Sequence, residues 1–129
     1  MSTLLFIGRI FYGGIFIWLA VNNFARLEEK TDMARLKRVP LPRQSVLVAS
    51  GLALLGGLSI VFGYRIEIGV ALLAVFLVPA SLMMHRFWAE QEPRARQAEM
   101  VHFCKNVALL GAALMLLGLA QPWPFSLEG

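Results

Sequence analysis

The stretch Gln44-Ser45-Val46-Leu47-Val48-Ala49-Ser50-Gly51-Leu52-Ala53-Leu54-Leu55-Gly56-Gly57-Leu58-Ser59-Ile60-Val61-Phe62-Gly63-Tyr64 decides the fold. Its 21 residues pass between Arg43 and Arg65 without one charged side chain. In water such a run would have to be buried all round. In a bilayer it is a natural span, because about 20 apolar residues cross the hydrocarbon core. A second run, of 22 uncharged residues, lies between Lys105 and Glu128.

Composition agrees with a membrane solvent. Hydrophobic residues make up 58% of the 129-residue chain and charged residues only 16%, against about 25% charged in a soluble domain. Mean hydropathy is +0.67. The length suits one membrane-embedded unit, residues 1–129. Spans are expected at about Leu4 to Asn22, Val46 to Phe62, Ile68 to Met84 and Asn106 to Ala120. The first is read as a span and not a signal peptide, since no basic segment precedes it and no small-x-small site follows. Membrane barrels need alternating segments of about ten residues, and nothing here alternates. Leu and Ala dominate, and both favour helix. The expected fold is therefore an all-α integral membrane protein, an antiparallel four-transmembrane-helix bundle.

The connections carry further signals. A short helix is expected around Asp32 to Lys37, halted before Pro40. Pro93 suits a first helical position, so the fourth helix is expected to start near Arg94 and stand clear of the membrane. Pro122 and Pro124 should stop it, with Trp123 at the interface. Pro79 should kink the third span. The minimal turn Gly63-Tyr64-Arg65-Ile66 makes the second and third helices neighbours. Ten of the twelve Lys and Arg residues fall in the first and third connections. This bias predicts those connections in the cytoplasm of a bacterial inner membrane, with both termini outside. The net charge of +4 is thereby explained by topology, and no nucleic-acid module is present.

Small residues mark helix contacts in lipid. Ala49, Ala53 and Gly57 on the second span, Gly13 and Gly14 on the first, and Ala108 and Ala112 on the fourth are read as packing within the chain, with a homodimer seam as the alternative. Arg9 lies about 9 Å down the first helix. It either snorkels to the headgroups or turns inward, to Glu67 at the start of the third span or to backbone carbonyls. At the opposite face, Asn23, His85, Trp88, Lys105 and Asn106 form a polar rim. Most simply they are caps and anchors. As a site they would meet a polar head group such as a quinone carbonyl, with His85 donating, Lys105 polarising and Trp88 stacking. The single Cys104 excludes an internal disulfide and reads as a packing residue. His102, Cys104 and Glu99 match no closed metal pattern, so no metal site is expected.

Several pieces together resemble the DoxX family of small bacterial membrane proteins. They are Arg9-Ile10 with Gly13, Met33 through Val39-Pro40-Leu41-Pro42, Leu55-Gly56-Gly57-Leu58 with Gly63, His85-Arg86-Phe87-Trp88, and Phe103-Cys104-Lys105-Asn106-Val107-Ala108. The resemblance implies a four-helix membrane bundle. Some relatives are small subunits of a thiosulfate:quinone oxidoreductase, others belong to oxidative-stress membrane complexes, and distant ones assist receptor assembly. It thus implies a non-catalytic accessory subunit of a membrane, quinone-linked oxidoreductase complex, without redox turnover of its own. A structural or assembly protein is the competing reading. The partners implied are the bilayer and other membrane subunits. No cofactor is expected on the chain itself, only a quinone or lipid nearby. One departure stands out: members commonly carry a glutamate where this chain has Ala53.

Overall fold

The computed structural model describes residues 2–119, with Trp123 and Phe125. In chain order it contains α1 (Ser2–Ala25), α2 (Leu27–Leu36), α3 (Pro42–Phe62), α4 (Ile66–Met84), a 3-10 turn (Phe87–Ala89) and α5 (Pro93–Leu116). No strand occurs among the described residues. The helices α1, α3, α4 and α5 are each long and apolar enough to cross a membrane. The chain is a multi-pass membrane protein whose outer helix faces meet lipid.

Local chemistry sets the helix ends. Pro42 occupies the first turn of α3, where a missing N–H costs nothing. Gly63 closes α3 at φ 65°, a left-handed conformation that glycine adopts without strain. Ser59 Oγ donates to the Tyr64 carbonyl at 2.6 Å across this turn. At α5 the Glu92 side chain accepts from the N–H groups of Arg94 (3.1 Å) and Ala95 (2.8 Å), with Pro93 first in the helix. A carboxylate there satisfies orphan donors and faces the positive helix end.

Packing begins at a glycine crossing. A methyl group on Gly57 would lie 2.6 Å from the Gly13 carbonyl oxygen, and one on Gly13 would lie 2.7 Å from that of Gly57. The backbones of α1 and α3 therefore touch directly, the close approach that small residues permit in lipid. Arg9 meets Ile60 and Val61, whereas Ile17 meets Gly57. Residue numbers rise along one helix as they fall along the other. Between α3 and α4, Gly56 faces Leu73 and Gly69 faces Ser59. Phe16, Ala20, Ala53, Ile60, Leu73 and Leu77 fill the core between these helices.

Several expectations change in detail. Gly14 has open space where Gly13 makes the contact. Ala53 and Gly57 are buried, but Ala49 lines a groove. On α5 the buried small residue is Ala113, with Ala108 exposed. Cys104 is likewise exposed and not part of the core. α2 starts earlier than expected. α5 ends at Leu116, while Ala120, Pro122 and Pro124 lie outside the described residues. Trp123, expected at the interface, is only 3% exposed.

Candidate functional site

Two polar assemblies occupy opposite ends of the bundle. At the first, Arg9 is only 1% exposed. The snorkelling alternative is overturned, because the side chain turns into the protein. Arg9 Nε donates to the Ile60 carbonyl at 3.1 Å, and Nη2 donates to the carbonyls of Val61 (2.9 Å) and Phe125 (3.1 Å). The cause lies in how α3 ends. The Tyr64 N–H returns to the Ser59 carbonyl at 3.0 Å, so Ile60 and Val61 present carbonyls that need donors from outside the helix. A guanidinium supplies them from a rigid fork, and a cation also suits a helix C-terminus. The rings of Phe6 and Trp123 flank the guanidinium carbon, each centroid 5.3 Å away. Glu67 sits exposed in the first turn of α4.

At the other end, α2 and the 3-10 turn fold over the helix termini. His85 Nδ1 lies 3.1 Å from Glu99 Oε2, and its ring stacks on His102 at 5.0 Å. Lys37 Nζ approaches Glu99 at 3.2 Å and Glu90 at 3.7 Å. Arg86 Nη2 donates to the Lys37 carbonyl at 2.7 Å. These bonds tie α2, the 3-10 turn and α5 together. Among the described residues, no group of three His, Cys, Asp or Glu side chains converges to hold a metal ion.

Beside this cluster a groove of about 580 Å³ opens between α3 and α4, beneath α2. Its walls are apolar, with Leu52, Val75, Phe76 and Met83 among them. Asn23, Lys30, Gln44, Ser45 and His85 supply the polar groups. All five come from helix ends or from α2, so the polar groups gather at one end. From Gln44 to Leu52 along α3 the groove descends about 12 Å into the apolar layer. The arrangement suits an amphiphile with a polar head and an apolar body.

Of the rim residues, Asn23 and His85 line the groove. Asn106 is buried on α5 and Lys105 is exposed. Trp88 packs edge-on against Phe87 and Phe103, with centroids at 5.2 and 5.6 Å. Neither Lys105 nor Trp88 lines the groove. Glu99 stands out in the sequence only beside His102 and Cys104, and no sequence signal marks Lys37 or Glu90 as its neighbours. They belong to the charge pattern of the connections, which carries no mark of which residues will meet. Trp123 lies over Arg9 and not at the interface expected from its sequence context.

The DoxX family model matches residues 4–86. That interval carries Arg9, the glycine crossing and most of the groove. It ends at Arg86, so α5 and its Phe103–Ala108 stretch lie beyond the match. No curated protein and no solved structure gives a match. With more than half of the chain matched and three of the four spanning helices beneath the match, the chain belongs to the DoxX family.

Proposed function

We propose that this chain is an accessory subunit of a membrane oxidoreductase complex and that its groove receives an isoprenoid quinone. The groove carries this reading: it is apolar along its length and polar at one end. His85 gives Nδ1 to Glu99, so the neutral ring offers Nε2 as an acceptor for the hydroxyl of a reduced quinone, while the Asn23 and Gln44 amides can donate to a quinone carbonyl. The isoprenoid tail would follow Leu52 and Phe76 into the lipid. The chain holds and orients the quinone, and the electrons come from a partner subunit.

Extraction of the gently purified protein is expected to yield isoprenoid quinone, and Ala80→Trp, which fills the groove, is expected to remove most of it. Equal quinone in the two preparations would overturn the assignment. Cross-linking in membranes should then recover redox subunits. A structural or assembly role is the second reading. It is favoured by α5, which leaves Val101, Val107, Leu114 and Met115 exposed.

The same proposal places α2 and the 3-10 turn on the cytoplasmic side of the bacterial inner membrane, with the spans antiparallel. It rests on the clustering of Lys and Arg in those two connections. A C-terminal phosphatase fusion is expected to be active and a fluorescent-protein fusion dark. The reverse pair of results would invert the orientation.

A further inference from the structure

A second cavity, of about 360 Å³, lies beside the 36–38 segment and shares no lining residue with the groove. Leu36, Lys37, Arg38, Arg86, Ala89 and Glu90 line it. Three cations thus face one carboxylate. Lys37 is already engaged, by Glu90 at 3.7 Å and Glu99 at 3.2 Å. Arg86 gives Nη2 to the Lys37 carbonyl, and its guanidinium has further N–H donors to offer. Arg38 is exposed. Two guanidiniums therefore remain to bind an anion, and their planar forks match phosphate oxygens.

The backbone gives an independent reason to look here. α2 ends with the Val39 N–H returned to the Ala34 carbonyl and the Arg38 N–H to the Arg35 carbonyl, both at 3.0 Å. This closure puts Arg38 at φ 60°, the left-handed cap position that glycine normally fills. A large side chain kept in that conformation points to a use for the side chain. Depth supplies the third reason. Arg38 and Arg86 each stand two residues past a helix end, after Leu36 and Met84. For α4 that end is the edge of a span, where bilayer phosphates lie. Leu36, 83% exposed, offers an apolar contact for the first carbons of an acyl chain.

We infer that this cavity binds the phosphate of an anionic membrane phospholipid, held by Arg38 and Arg86. Basic pockets beside spans attract such lipids, and each Arg or Lys near the surface changes affinity about fivefold. The site is separate from the groove and does not depend on what the groove holds.

Delipidated protein in neutral detergent is titrated with dioleoylphosphatidylglycerol or dioleoylphosphatidylcholine, and bound lipid is counted by native mass spectrometry. Phosphatidylglycerol is expected to bind tighter. Arg38→Gly should weaken it about fivefold while Tm stays level or rises, since glycine relieves the φ 60° cap. Arg38→Lys should retain most of the affinity. Arg86→Gln should weaken binding as well. Equal affinity for the two lipids, or Arg38→Gly binding phosphatidylglycerol like the wild type, would overturn the proposal. A lower Tm in Arg38→Gly would also overturn it, by showing that the side chain props the fold. Inorganic phosphate displacing the lipid at equal concentration would assign the cavity to free phosphate and reject the lipid.

Discussion

Gly57→Leu is expected to abolish the folded bundle in detergent, and Gly57→Ala to lower its thermal stability clearly. The first added carbon would sit 2.6 Å from the Gly13 carbonyl oxygen, 3.0 Å from Ile17 Cγ1 and 3.1 Å from Phe16 Cβ. A flexible side-chain tip could move aside, but a helix backbone cannot without shifting the whole α1–α3 contact. Overpacking usually costs about 1–3 kcal/mol, and a backbone clash belongs at the upper end. The control is on the same helix: a methyl on Gly51 meets nothing within 4 Å, so Gly51→Ala should be neutral or slightly stabilising. Gly13→Ala and Gly14→Ala form the matching pair on α1, with only the first damaging. Indistinguishable melting of Gly57→Ala and Gly51→Ala would show that the crossing is not what holds these helices together.

That contrast also shows what a sequence can carry. The four spans are legible because an apolar run reports its solvent without reference to neighbours. Pro93 announces the start of α5 because proline is favoured in the first helical turn. The start of α2 is harder to see: Arg26 precedes it with no side-chain cap, and only Glu28 and Glu29 in the first turn mark it. Choosing between Gly13 and Gly14 requires the angular setting of α1, which composition does not fix. Ala49 and Ala53 share a stripe in sequence, yet the groove separates their environments.

Charge is legible in number but not in partnership. The bias of Lys and Arg predicts which connections share a side. It does not show that Lys37 will meet Glu99, since the two are brought together only by the fold of α2 over the end of α4. His85 was visible as a polar residue at a helix end. Its orientation by Glu99 depends on how the first turns of α5, from Pro93 on, pack beside the end of α4. The apolar groove was not legible at all, because it is a gap between helices and no residue type signals a gap.

Arg9 is expected to be the most consequential charged residue of the chain. It closes the end of α3 through Ile60 and Val61 and ties Phe125 to the same point. Arg9→Leu would leave these carbonyls without their donor. Each buried polar group left unpaired costs about 1–3 kcal/mol, so the summed loss should exceed that of most single substitutions. Arg9→Gln should fall between, since an amide has two N–H donors on one nitrogen and no charge. Arg9→Lys separates charge from geometry. An ammonium keeps the cation at the helix terminus but lacks the planar fork that reaches Ile60 from Nε and Val61 from Nη2. Lysine is therefore expected to rescue only part of the stability. Trp123→Leu removes one face of the aromatic pair around the guanidinium, and a cycle with Arg9→Gln should return a coupling of about 0.5–2 kcal/mol. The proposed pairing with Glu67 is tested by the same scheme: Arg9→Gln, Glu67→Gln and the double variant should be less than additive. Full rescue by lysine would mean that charge alone is required at this position, and the capping role of the guanidinium would have to be given up.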